Sequence, residues 1–253
     1  MQQEERIPVS RFLNRLDACL NRNDRKGARE CLIFWEAEAR RLGDDRGLLT
    51  VLNEAVGYYR RTQKRKRALE ATEECLQLAE TLRQDRSASG ATIFTNAATT
   101  FAFFGYPELA LALYEKAADC FAATGQTESY AYAALLNNRA AVFHAQKQFD
   151  EAEADWRRAI VILQQVGYHD GEIAISLIML AHLTYDRDET AVMQVETLLD
   201  EAWDYINSEN QPKDGTYADV LRKCAPSLDY FHRPDEAQAC RDVAKEIYTG
   251  NAE

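Results

Sequence analysis

The chain has 253 residues, 46% of them apolar, and a formal net charge of −11. That is enough apolar material to bury a core, and enough negative charge to repel nucleic-acid phosphates and anionic headgroups from most of the surface. Only 5 prolines and 11 glycines interrupt long stretches of Ala, Leu, Glu, Lys and Arg, which favours helices over strands.

The opening MQQEERIPVS offers no apolar stretch of the export-signal kind, and no run of about 18 apolar residues follows. A soluble, cytoplasmic protein is therefore expected, with neither membrane nor nucleic acid as partner. Six cysteines, at 19, 31, 75, 120, 224 and 240, form no C-x-x-C pair. Most stand where a helix needs a small apolar residue, which predicts free thiols.

The elements repeat along the chain. The first segment, FLNRLDACLNRNDRKGARECLIFWEAEA, fits the pattern loosely through Leu16, Cys19 and Ala28. The second, LNEAVGYYRRTQKRKRALEATEECLQLAE, supplies Tyr59, Ala68 and Cys75. Moving on by 42 residues gives Phe101, Ala110 and Ala117 in the third, TNAATTFAFFGYPELALALYEKAADCF. The same step reaches Phe143, Ala152 and Ala159 in the fourth, NNRAAVFHAQKQFDEAEADWRRAIVIL, with Asn96 on Asn138, Ala98 on Ala140 and Tyr114 on Trp156. A fifth copy carries Tyr185, then a longer turn, then Ala202 and Trp203; a sixth, YFHRPDEAQACRDVAKEIY, places Pro234, Ala237 and Ala244 as Pro107, Ala110 and Ala117 stand in the third.

Each copy reads as two helices joined by a short polar break. Small residues at Ala98, Ala110, Ala140 and Ala152 let backbones approach closely, and the aromatics fill the remaining space. Pro107 and Pro234 suit the start of a second helix, Gly105 or His232 closes the turn before it, and Gly125 and Gly167 suit helix ends. The acidic cluster Asp150, Glu151, Glu153 and Asp155 is expected at the start of a second helix, where carboxylates meet the helix dipole. The predicted fold is all-α, with approximate repeats at 8–45, 46–87, 88–129, 130–171, 172–214 and 215–248 in one domain spanning 8–248.

N-x-A-x-x-F, a turn, then A-x-x-x-Y/W-x-x-A resembles the tetratricopeptide repeat (TPR) family over nearly the whole chain. The 42-residue period is similar to that of the subgroup typified by kinesin light chains and by bacterial peptide-sensing regulators. The resemblance implies a right-handed α-solenoid of about six hairpins, whose first helices line a concave face that holds extended peptides. It places Asn53, Arg60, Arg61, Thr92, Asn96, Thr99, Asn137, Asn138, Ala141 and His144 on that face, with Thr95, Phe103, Ala134 and Ala145 beside them. Asparagine amides can donate to and accept from a peptide backbone, or they can bridge neighbouring helices; both readings stand. In the fifth repeat Met179 and Leu180 replace the asparagines, so the groove there turns apolar or ends.

The basic island Arg60, Arg61, Lys64, Arg65, Lys66 and Arg67 reads either as a clamp for an acidic peptide or as a solvated helix-turn surface. No H-E-x-x-H, G-x-S-x-G or G-x-x-x-x-G-K-[ST] occurs, and His232 with Cys240 makes no convincing nucleophile pair. No catalytic residue, cofactor or metal is expected. The function expected is a protein- or peptide-binding scaffold, with a peptide-sensing regulatory module as the alternative.

Overall fold

The computed structural model describes residues 5–210 and 213–250. The repeat bounds drawn across 211–212, and the first four residues of the opening segment, lie outside them. Among the described residues there are twelve α-helices and no strand. They pair as α1 (Val9–Asn21) with α2 (Arg25–Leu42), α3 (Asp45–Arg61) with α4 (Arg65–Thr81), and α5 (Ala88–Phe103) with α6 (Pro107–Ala123). The series continues with α7 (Tyr130–Ala145) and α8 (Phe149–Val166), α9 (Asp170–Arg187) and α10 (Val192–Ile206), and α11 (Gly215–Tyr230) and α12 (Pro234–Gly250).

The chain divides into two compact units, Met1–Gln126 and Thr127–Glu253, with three hairpins in each. In the first, α2 packs on α3, α4 on α5, and the first helices α3 and α5 touch directly. In the second, α8 packs on α9, and α9 contacts both α7 and α11. This is the hairpin stacking of an all-α solenoid, in which each hairpin buries its apolar face against its neighbour.

The repeat shows in the backbone as well as the side chains, on the 42-residue step itself at Gln63, Gly105 and Lys147. In five of the hairpins the first helix ends in a cap, then comes one residue of positive φ, then one residue that precedes the second helix. Those residues are Asn23 at 53°, Gln63 at 56°, Gly105 at 86°, Lys147 at 59° and His232 at 59°. Each turn closes in the same way. Tyr106 N–H reaches Phe101 O at 2.9 Å and Gly105 N–H reaches Ala102 O at 3.1 Å, while Gln148 and Lys147 repeat the pair onto Phe143 and His144. Two otherwise orphaned carbonyls at the helix end are thereby satisfied. Pro107 and Pro234 open α6 and α12, where the missing N–H costs no helical hydrogen bond.

The starts of four first helices, α3, α5, α7 and α11, are capped by side chains. Ser87 Oγ accepts from Gly90 N–H at 2.9 Å, and Asp44 accepts from Gly47 N–H at 2.9 Å while also holding Ile7 N–H at 3.0 Å. Gly90 is required by crowding: a Cβ there would meet Gln84 O at 1.8 Å.

The matched small residues are the close contacts. Ala98, Ala110, Ala117, Ala140, Ala152 and Ala159 are completely buried, and so are the large rings of Tyr114 and Trp156. Replacing Ala110 or Ala152 with Leu is expected to cost about 1–3 kcal/mol through overpacking. Chemical denaturation measures it, and an unchanged midpoint in both variants would mean the helices have room to spare.

One expectation is corrected. Asp150 and Glu151 do lie in the first turn of α8, but Asp155 lies a turn and a half further on and is buried. It faces Arg139 of α7, which donates through Nε at 2.7 Å and Nη2 at 2.8 Å. Its role is to pin a hairpin, which the helix dipole does not explain.

Candidate functional site

In the first compact unit the faces of α3 and α5 bring four of the ten predicted residues together. Asn96 donates its amide to Asn53 Oδ1 at 2.9 Å, and Asn53 turns its own amide toward Glu54 at 3.4 Å. Arg60 donates through Nη1 to Thr100 Oγ1 at 3.2 Å and to the backbone oxygen of Asn96 at 3.3 Å. Thr99 uses its hydroxyl proton on Thr95 O at 2.7 Å, so in its 3.0 Å contact with Tyr114 the phenol is the donor. Burial pushes the Tyr114 phenol up to about 12, which keeps that donor protonated.

Arg60 is half-buried and is held only by neutral acceptors; among the described residues no carboxylate pairs with it. Loss of water, with Arg61 nearby, lowers its pKa, although Tyr114 opposes the shift. Glu54, the repeat equivalent of Asn96, has its carboxyl pushed up, first by loss of water and also by Asp17. Arg61 and Thr92 are exposed.

The rest of the basic island is largely occupied by the protein itself. Arg65 lies over the rings of Phe104 and Tyr106 and donates to the Tyr106 hydroxyl at 3.0 Å; Arg67 lies over Tyr59; Lys66 faces Glu70 at 3.8 Å.

In the second compact unit the arrangement differs. Asn137 accepts from the buried Ser176 of α9 at 2.9 Å, a bridge between first helices. Asn138 is half-buried and makes no side-chain hydrogen bond to any described residue, and Ala141 is exposed. His144 Nε2 lies 2.8 Å from Asp186 Oδ2, with its ring against Phe149 and Trp156. Leu180 is buried and so presents no groove surface, whereas Met179 is partly exposed. Of the predicted residues, Asn53, Arg60, Asn96 and Thr99 therefore gather on one face, while Asn137 and His144 are tied to α9.

Sequence reasoning passed over Glu54, Arg139 and Ser176. Glu54 was findable, because the 42-residue step places it on Asn96 and Asn138.

Catalytic chemistry finds little support in the thiols. Burial pushes Cys75 and Cys224 up to about 12 and Cys240 up to about 11, so these are protonated at neutral pH. No group of three or more His, Cys, Asp or Glu side chains is assembled for a metal among the described residues. No helix among them is long and apolar enough to cross a membrane.

No family model matches the chain, and no curated protein does. Solved structures do. The protein BtubC (BKLC) from P. vanneervenii superposes with a TM-score of 0.62 at 19% identity, over 95% of this chain and 92% of that one. A putative kinesin light chain from Podospora anserina, with nearly identical TPR-like repeats, gives a TM-score of 0.56 at 17% identity, over 80% of this chain and 96% of that one. With the six hairpins, the turn common to five of them and the buried small residues, these likenesses establish that the chain has the tetratricopeptide-type repeat fold.

Proposed function

We propose that the protein is a non-enzymatic scaffold of the cytoplasm, which holds extended segments of partner proteins on the first-helix faces of its compact units. The observation that carries this reading is Arg60: a half-buried guanidinium, aimed along the face of α3 and α5, whose only partners among the described residues are neutral oxygens. A cation so placed favours an arriving carboxylate, so the segment taken at this face is acidic. Asn96 commits its amide nitrogen to Asn53 and keeps its side-chain oxygen for a peptide N–H; Asn138 has its whole amide to offer.

The test is affinity capture with identification of the partner, then titration of its bound segment against Arg60→Glu, Asn96→Ala and Asn138→Ala. Asn138→Ala is the clean probe, since no internal hydrogen bond is lost. It is expected to weaken binding by about 1 kcal/mol at an unchanged melting temperature. Arg60→Glu is expected to weaken binding more at low salt than at high salt, because a partly exposed attraction is screened. Unchanged affinity in all three variants would move the site off these faces.

A further inference from the structure

Glycine inside a helix is less favourable than alanine, so a helical glycine needs a cause. At Gly27, Gly47 and Gly90 the cause is crowding: an added Cβ would meet Asp24 Oδ2 at 2.2 Å, Asp44 Oδ2 at 2.3 Å and Gln84 O at 1.8 Å. Gly57, in the interior of α3, has no such cause. Its φ is not positive, and an added Cβ would meet no neighbouring side chain or backbone within 4 Å. Nor does the repeat demand a glycine, since the 42-residue step places Thr99 and Ala141 at the same point.

The missing side chain leaves partly exposed backbone at the centre of a polar group. At about 100° per residue, Asn53, Glu54, Arg60 and Arg61 all lie within about 60° of Gly57 around the helix axis, the first two a turn before it and the last two a turn after. None of the four reaches over the glycine, because the space where its Cβ would stand is open.

The two ends of this opening carry opposite charge. Arg60 meets only neutral oxygens, and Arg61 is exposed and forms no ion pair with any described residue. Glu54 is half-buried and accepts only the 3.4 Å bond from Asn53. Loss of water raises its pKa, with Asn53 and Arg61 opposing and Asp17 assisting. A cation arriving beside it would replace the solvation that burial removed.

The spacing selects a backbone. Six residues of helix set Glu54 and Arg60 about 9 Å apart along the axis. A polyproline II segment rises about 3.1 Å per residue with three residues per turn, so its residues i and i+3 share one face at about that separation. Such a segment needs no hydrogen bonds from the surface beneath it, which suits helical backbone whose own groups are already paired.

We infer that the α3 face centred on Gly57 receives an extended, polyproline II-like segment of a partner protein carrying both charges, a lysine or arginine toward Glu54 and, three residues away, an aspartate or glutamate toward Arg60 and Arg61. The inference rests on the reading of first-helix faces as binding surfaces. It adds a second charge to the acidic group already assigned to Arg60, and makes Gly57 the point of closest approach.

The probes are acetyl-Lys-Pro-Pro-Glu-amide and its reverse, acetyl-Glu-Pro-Pro-Lys-amide, because the segment can run in either direction. Each is titrated into the isotope-labelled chain and followed by nuclear magnetic resonance at the Gly57 amide and the Arg60 and Arg61 side chains. The tighter peptide is expected to shift all three, and exchanging either of its charged residues for Gln to raise the half-saturation concentration about five- to tenfold. Glu54→Gln should remove the advantage of Lys over Gln and leave that of Glu. Gly57→Ala separates binding from folding. The added methyl has room and favours the helix, so the melting temperature should rise by about 1–3 °C, while half-saturation read on Arg60 rises at least about fivefold because the approach is filled.

Absence of shifts with both peptides, equal binding of the Gln-exchanged peptides, unchanged affinity in Gly57→Ala, or a melting temperature lowered by that variant would each overturn the inference. If the partner identified by capture still depends on Arg60 and Asn138 in that event, the scaffold reading stands and only the doubly charged segment falls.

Discussion

Replacing Trp156 with Ala is expected to destabilise the protein by about 3–5 kcal/mol. The indole is 1% exposed on α8, in T-shaped contact with His144 at 5.6 Å, and the small residues Ala140, Ala152 and Ala159 of the same hairpin are also fully buried. Deleting it removes the transfer energy of the ring and leaves a cavity that helices held together by buried alanines cannot readily collapse to fill. The repeat provides an internal comparison. Tyr114 occupies the equivalent position on α6, also fully buried, and donates its phenol hydrogen to Thr99 at 3.0 Å. Tyr114→Phe keeps the ring and removes only that bond, leaving the Thr99 oxygen to find another donor, so about 1 kcal/mol is expected there. Urea denaturation of both variants measures the contrast. A Trp156→Ala loss no larger than that of Tyr114→Phe would show that the ring is not central to the hairpin.

What could be read in the sequence, and what could not, follows from the range of the interactions. Hairpin boundaries were legible because the signals are local: Pro107 and Pro234 at helix starts, Gly105 and His232 at turns, and small residues recurring every 42 positions. Even the left-handed turn residues fall on that step, as Gln63, Gly105 and Lys147 show, although only one is a glycine; composition alone would have found one in three. The predicted binding face was legible as a location and less so as chemistry. Which asparagine is committed and which is open depends on a partner some 40 residues away, and the partner is not constant. Asn96 meets Asn53, Asn137 meets Ser176, and Asn138 meets no side-chain hydrogen bond among the described residues. Acidic residues were hardest to assign, because Asp155 looks in sequence like its exposed neighbours Asp150 and Glu151 and differs only in which side of α8 it occupies.

That difference predicts the second large effect. Asp155→Ala is expected to destabilise the protein by about 3–5 kcal/mol, far more than loss of the exposed Lys66–Glu70 pair, for which less than about 1 kcal/mol is expected. The side chains of Arg139 and Asp155 are 19% and 10% exposed, against 89% and 60% for Lys66 and Glu70, so solvent screens the first pair little. Two parallel hydrogen bonds at 2.7 and 2.8 Å join α7 to α8, and the guanidinium also lies 5.7 Å from the Phe143 ring centre. Removing the carboxylate takes this counter-charge from a half-buried cation, and the cost is expected to be mostly that of the poorly solvated charge, not the lost attraction. The distinction can be measured. If the uncompensated charge dominates, Arg139→Met combined with Asp155→Leu, which replaces both groups by apolar ones of similar size, should recover most of the loss, because an intact buried pair is worth little more than good packing. If the pair holds the hairpin through its own attraction, the double variant should be no more stable than Asp155→Ala. Denaturation midpoints of Asp155→Ala and of the double variant decide between these outcomes, and Arg139→Met and Asp155→Leu made singly complete the cycle.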